Sequence, residues 1–408
     1  MFSARGKNYG WTLVGMFAVN YSMVVIAFET LGFLLPGMAE DLDLSLTEQG
    51  WLSSSIMFSN LLFEVPSNWF FSRFRPWRSS VVSFAAAALF VGLKGFAPTL
   101  LVLFIARIGL GMIYLSTQAS RTILLIHWIP SRQVGKANGI MFSILETTIG
   151  FGFMLIPAIL WIADGDWRKT LYIWAIVSAV GAFVWLLWGR DRPREDLPQL
   201  SGTSGETPIR VIWRYREPWI LGFGVAGITG ARSAFSTFWP TYLDETHGPA
   251  LVTIGLILGI GGLTKGPMIL GVTLTSSIAN RTPYLLVACG LLMAATSFGM
   301  VLSDSVGLLF LTGIVNGMTM CFIPAMITTI YRLPGIQERE VAVAVAIYFS
   351  CLWTGSALGP TFTGIIGDAT DLRTGLLIAA FAPLTLSTAG VVLGLTGRRP
   401  PGPALATP

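Results

Sequence analysis

Seven ionisable side chains sit inside stretches that are otherwise apolar: Glu29, Glu64, Arg107, Arg121, Glu146, Arg232 and Lys265. A charge near the centre of a bilayer costs at least about 2.5–3.5 kcal/mol on insertion scales. Such residues must pair, face a watery cavity or meet a charged visitor. Their types suit ion binding and proton transfer. Covalent catalysis is not expected, because no nucleophile–base or metal-ligand spacing accompanies them. The two histidines, His127 and His247, fall at segment ends, and the three cysteines, Cys289, Cys321 and Cys351, show no CxxC spacing. No Gly-Lys-Ser/Thr phosphate loop is present, so direct drive by ATP is not expected either. The reading is of a protein that is not an enzyme and carries no cofactor or metal.

The elements that position these charges are read from composition. Of 408 residues, 53% are hydrophobic and 12% charged. A soluble domain carries about twice that charge, so much of this surface must face lipid. Nucleic acid is excluded as a partner despite the net charge of +5, because the basic residues are spread over short loops with no dense patch. A bilayer core needs about 20 apolar residues in a helix. Spans are predicted near 11–35, 49–71, 79–97, 99–127, 136–162, 169–189, 218–243, 251–276, 283–303, 306–331, 340–366 and 374–395. With both termini in the cytoplasm, Arg73/Arg75/Arg78, Arg190/Arg192/Arg194, Arg210/Arg214/Arg216 and Arg398/Arg399 all fall inside. Lys94, Arg168, Lys169 and Arg373 fall outside or at the outer edge. That asymmetry follows the positive-inside rule for a multi-pass protein of the cell (plasma or inner) membrane.

Residues 190–217 form the one long polar interruption, rich in Arg, Ser, Gly and Pro, and read as a cytoplasmic linker. It divides the chain into 1–189 and 218–408, six spans each, the second with a short cytoplasmic tail. The halves resemble one another. Ile140, Phe142, Ser143, Leu145, Thr147 and Gly152 recur as Ile347, Phe349, Ser350, Leu352, Thr354 and Gly359, offset by 207 residues throughout. Ile129-Pro130 matches Leu333-Pro334, and Leu35-Pro36 parallels Trp239-Pro240. The expected fold is an all-α membrane protein with twelve transmembrane helices in two pseudo-symmetric six-helix bundles. Parallel repeats of this kind place a site near the midplane at their interface.

At this point the chain resembles the major facilitator superfamily. Arg107-Ile-Gly-Leu-Gly looks like its fourth-helix motif, and Gly355-x3-Gly359-Pro360-x3-Gly364 like its Gly/Pro packing pattern. The loop after span two keeps Arg73 of the usual Gly-x3-Asp-Arg-x-Gly-Arg, but has Asn68 and Ser72 in place of the Gly and Asp. Glu64-Val-Pro-Ser-Asn68 followed by Arg73-Phe-Arg75-Pro is similar to the second-helix region of the anion:cation symporters, which carry organic acids. The resemblance implies a secondary carrier for a small organic anion of carboxylate type, working by alternating access and coupled to a proton or sodium. It is expected to act as a monomer in the lipid bilayer. Proton-driven efflux of a drug or metabolite on the same fold is the alternative.

Depth along each helix sorts the charges. Glu29 and Arg107 both lie in the outer third of their spans and are expected to pair, with Glu29 taking up a proton. Arg121 and Glu146 lie near one another in depth on adjacent helices and are expected to pair for gating or substrate contact, and Glu64 joins the coupling or gating set. Arg232 and Lys265 lie near mid-membrane, and no acidic residue lies within the C-terminal-half spans. A substrate anion on Arg232 and Lys265 is expected, the guanidinium fork suiting a carboxylate. A salt bridge from the other half, to Glu29, Glu64 or Glu146, is the competing arrangement. Tyr21, Trp239 and Tyr348 are polar-aromatic positions expected to line the site with Arg121.

Overall fold

The computed structural model describes residues 9–71, 74–130, 133–191, 214–247, 251–275, 281–331, 333, 336 and 338–396. Most of the predicted linker, the C-terminal tail and several of the inside arginines (Arg73, Arg192, Arg194, Arg210, Arg398 and Arg399) lie outside the described residues.

The described chain is helical: α1 (Tyr9–Glu29), a 3₁₀ turn (Thr30–Phe33), α2 (Leu35–Leu42), α3 (Leu46–Phe71), α4 (Pro76–Phe96), α5 (Leu100–Trp128), α6 (Val134–Ile162), α7 (Trp167–Trp188), α8 (Glu217–His247), α9 (Leu251–Leu274), α10 (Thr282–Leu302), α11 (Val306–Met318), a second 3₁₀ turn (Thr319–Phe322), α12 (Ile323–Tyr331), α13 (Glu338–Ala369), α14 (Leu372–Ala379) and α15 (Leu384–Thr396). Among the described residues, ten stretches are long and apolar enough to cross a membrane. Helices α3 and α8, with 26 and 31 residues, are also longer than the shortest of those ten, at 21 residues. Large apolar side chains such as Leu62, Val82, Phe96, Trp161 and Leu395 point outward. That surface would be unstable in water and is natural in lipid.

Local chemistry explains the breaks. Pro36 stands in the first turn of α2, whose end is turned by Asp43 at φ 52°. Asp166 caps α7 by accepting from the Arg168 and Lys169 amides, and Asp371 caps α14 through Thr374. The span that holds α11 and α12 is broken in its middle by the 3₁₀ turn Thr319–Phe322, just before Pro324, which has no amide to continue the ladder.

Two long seams and one short contact join the helices before residue 190 to those after 216. In the first, α3 packs on α13 with Gly50 against the Pro360 carbonyl and Gly364 against that of Leu46. Ser54 donates to the Ala357 carbonyl and accepts from Thr361. In the second, α6 packs on α9 through Gly150, Gly259 and Gly262, and Gly266 meets Ser143 and Thr147. Small residues let these backbones touch. The short contact sets Gly32 of the first 3₁₀ turn against the Ser236 and Thr237 carbonyls of α8.

Helices α7 and α8 meet the linker at one end of the bundle, at Trp188 and Glu217. At the opposite end the two sets of helices are tied together. There Asp368, near the end of α13, accepts the backbone N–H groups of Leu46 (3.0 Å) and Thr47 (2.8 Å) at the start of α3. Ser53 and Thr237 hydroxyls meet at 2.5 Å.

Candidate functional site

Four of the seven interior charges, Glu29, Glu146, Arg232 and Lys265, converge where α1, α6, α8 and α9 approach one another. Glu29 is the last α-helical residue of α1, where the backbone tightens into the 3₁₀ turn. Its carboxylate lies 3.0 Å from Arg232 of α8, with the two side chains 9% and 25% exposed. The second pair is looser: Lys265 of α9 stands 4.0 Å from Glu146 of α6. In each pair the acid precedes the linker and the base follows it. Of the two arrangements expected for Arg232 and Lys265, the structure shows salt bridges to acids of the other half.

The expected Glu29–Arg107 pair is not formed. Arg107 is buried and instead donates to the α3 carbonyls of Leu52 (2.7 Å) and Ser53 (2.9 Å) and to the Ser55 hydroxyl (3.1 Å). It clamps the α3–α5 crossing, where Gly111 meets Ser59. The expected Arg121–Glu146 pair is also replaced, because Glu146 faces α9. The Arg121 guanidinium lies 4.6 Å from the Phe142 ring centre and 6.0 Å from that of Tyr21, within cation–π reach. Glu64 accepts from the Trp353 indole at 2.8 Å, a further contact between the two sets of helices.

Tyr21 is buried and stacks on Tyr114 with ring centres 5.6 Å apart, one layer behind the cavity wall. Trp239 and Tyr348 do not line the cavities described below. The Trp239 indole donates to the Met300 carbonyl, and Tyr348 is fully buried with its hydroxyl 4.0 Å from the Met326 sulfur. Both cement helices that follow the linker.

Three features escaped the sequence reading. Lys94, placed there at the outer edge, is fully buried and donates to the Ala27 carbonyl at 2.7 Å. The end of α4 is roofed by Arg168, which donates to the Gly95 and Ala97 carbonyls, so the lysine has no route to water. Acidic residues do occur in the long helices after the linker: α13 includes Glu340, bound to Arg214 at 3.2 Å, and Asp368. Tyr114 and Gln118, joined by a 2.8 Å hydrogen bond, line the central cavity without having been singled out.

That cavity has a volume of about 140 Å³ and lies between the two sets of helices on the linker side of the Glu29–Arg232 pair. Glu29, Arg232 and Glu146 stand in its wall, with Tyr114, Phe142 and Trp353 around them. A smaller cavity next to it, of about 50 Å³, adds Lys265 and Asn316. Among the described residues no cluster of metal-ligating side chains occurs. The arrangement can hold an anion by exchange: a carboxylate from outside can occupy either cation if the resident glutamate gives way.

Solved structures of similar fold include a bacterial homolog of the human lysosomal transporter Spinster, in an inward-facing and occupied conformation. It matches with a TM-score of 0.78 at 15% identity, over 97% of this chain and 100% of the other. Among curated proteins, a probable sulfoacetate transporter of Cupriavidus necator is 24% identical over 298 residues, 68% of this chain and 67% of that one. A probable galactarate/D-glucarate transporter of Escherichia coli is 22% identical over 324 residues, covering 68% and 70%. An MFS-type efflux pump of Mycolicibacterium smegmatis is 25% identical over 268 residues, covering 62% and 60%. The model of the Major Facilitator Superfamily matches residues 17–337, and the chain belongs to that superfamily of membrane transporters.

Proposed function

We propose that the protein is a secondary active transporter that carries a small organic anion of carboxylate type by alternating access, coupled to protons. The observation that carries this reading is the pair of contacts between the two halves, Glu29–Arg232 and Glu146–Lys265, in the walls of adjoining central cavities. A buried ion pair seldom stabilises a fold better than apolar side chains of equal size, yet removing one partner is costly. Two such pairs placed between moving parts therefore suit a switch better than a scaffold.

In this reading α3 and α8 complete twelve spans, six in residues 1–189 and six in 218–408, with both termini in the cytoplasm of a cell or inner membrane. The closed end, held by Asp368 and Gly32, faces outward, and the central cavity belongs to an inward-facing state. When a solute carboxylate settles on Arg232 it displaces Glu29. A displaced, buried carboxylate then binds a proton, because leaving it charged and unpaired costs several kcal/mol. One arriving negative group is thus linked to one proton, and the interior keeps its net charge. Similarity to sulfoacetate and galactarate/D-glucarate transporters supports an anionic solute. Efflux by the same exchange is the second reading, supported by the similarity to a mycobacterial efflux pump.

Purified protein tested for thermal stabilisation by a panel of carboxylates and matched amines discriminates the charge of the solute. A bound ligand raises the melting temperature by mass action. Carboxylates are expected to stabilise the parent protein but not Arg232→Ala. Stabilisation by amines alone would overturn the anion reading.

A further inference from the structure

We infer that the solute is a carboxylate with an apolar body about the size of one aromatic ring, not a polyhydroxylated sugar acid. This rests on the anion reading above and concerns the rest of the molecule attached to the charged group. Three observations carry it.

The first is size. The central cavity measures about 140 Å³. An engineered apolar cavity of about 150 Å³ is known to take up benzene, so this one fits a single ring.

The second is the chemistry of the wall. Away from the Glu29–Arg232 pair, the cavity is bounded by Phe28, Tyr114, Phe142, Leu145, Leu352 and Trp353. These come from four helices on both sides of the linker, so apolar side chains flank the solute body on more than one side, with Glu146 the further charge in the wall. Aromatic walls favour ring contacts worth about 0.5–1.5 kcal/mol beyond area burial.

The third is how the neutral polar groups in that wall are spent; beside them, one oxygen of the Glu146 carboxylate accepts no hydrogen bond among the described residues. The Gln118 amide donates to the Tyr114 hydroxyl at 2.8 Å. The Thr229 hydroxyl donates back to the Val225 carbonyl at 2.8 Å and also meets the Leu352 carbonyl at 3.1 Å. The Trp353 indole is held by Glu64 at 2.8 Å. Ser356 adds one hydroxyl to the wall. A sugar diacid buries four hydroxyls, and each one that loses water without gaining a partner weakens binding by roughly tenfold. An apolar pocket rejects a single added hydroxyl only modestly, by about a hundredfold, so the discrimination expected here comes from several hydroxyls left without partners together.

The proposed pose sets the carboxylate on Arg232, in exchange with Glu29, and the ring between Tyr114, Phe142 and Trp353. Carriers similar to this chain include galactarate/D-glucarate transporters, so the inference separates this protein from relatives of the same charge preference.

The test uses the full-length purified protein and measures the shift in melting temperature against concentration for phenylacetate, benzoate, D-glucarate, benzylamine and benzyl alcohol. Phenylacetate or benzoate is expected to stabilise at concentrations at least tenfold below those needed for D-glucarate. In Phe142→Ser that preference is expected to shrink severalfold while the response to a carboxylate remains. D-glucarate acting at equal or lower concentration than either aromatic acid overturns the inference and leaves the anion reading standing. Benzylamine or benzyl alcohol acting as well as benzoate overturns the anion reading itself. If neither aromatic acid stabilises the protein, the inference is likewise overturned.

Discussion

The carboxylate of Asp368 caps the first turn of α3 from across the molecule, one oxygen on the Leu46 amide and the other on the Thr47 amide at 2.8 Å. An anion at a helix N-terminus meets amides that have no partner within the helix, together with the positive end of its dipole. Here cap and helix belong to opposite sides of the linker, so the contact exists only while that end of the bundle is shut. Asp368→Asn keeps one acceptor and turns an amide group toward the other N–H. Discounted for its exposed position, the loss is about 1 kcal/mol, or about a fivefold shift toward the state open at that end. The labelling rate of Ser236→Cys by a membrane-impermeant maleimide measures that population, and an unchanged rate would show that the clasp does not govern the gate.

Glu29→Gln removes the charge that faces Arg232. A solute carboxylate then has no resident to displace. Affinity is expected to rise severalfold, and its dependence on pH is expected to flatten, because no proton follows the solute onto residue 29. Exchange of labelled for unlabelled solute in proteoliposomes should persist while accumulation driven by a pH gradient disappears. Gradient-driven accumulation at the parent's level in this variant would refute the coupling role of Glu29.

The Glu146–Lys265 pair is tested by a double-mutant cycle. At 4.0 Å the groups are held together by charge without a hydrogen bond, and neither side chain is fully exposed. Glu146→Gln and Lys265→Met should each destabilise the protein, by leaving the partner uncompensated. The double variant should recover much of that loss, with a coupling of about 0.5–3 kcal/mol, read from melting temperatures. Additive effects would mean that the two residues do not sense each other.

The sequence placed the helices well because apolar runs are long and the breaks carry their own punctuation. Ala97–Pro98 falls between α4 and α5, and Ser303–Asp304 between α10 and α11. The same reasoning located Arg232 and Lys265 deep in their helices and weighed partners from the other half. It chose wrongly for Glu29 and Arg107 because depth is one coordinate, and contact also depends on which face of a helix meets which neighbour. Arg107 faces α3 and Glu29 faces α8, a difference of rotation that depth along the chain does not encode. Lys94 does stand in the last turn of α4, away from the linker, but its burial was not foreseen, for a related reason. A lysine near a span end normally extends to the interface, but the Arg168 side chain closes over the end of α4. The 3₁₀ turn after Glu29 left little trace, since Thr30-Leu-Gly-Phe33 reads as a continuous apolar helix.

Lys94 itself supplies the last prediction. Its ammonium is fully buried, and its hydrogen bond runs to Ala27, two residues before Glu29 and one turn before the change to 3₁₀ geometry. Burying an ammonium costs several kcal/mol after relaxation, and a charge-assisted hydrogen bond returns about 1.5–3 kcal/mol. Lys94→Met keeps the volume and removes both contributions, so stability should change little, with the melting temperature within a few degrees of the parent. Lys94→Ala leaves a cavity as well and should lose about 2–5 kcal/mol. If the lysine holds the backbone that aims Glu29 at Arg232, Lys94→Met should still alter carboxylate affinity by tenfold or more and shift its pH dependence. Binding curves for the methionine variant that overlay the parent's at every pH would instead leave Lys94 as a structural residue with no part in positioning Glu29.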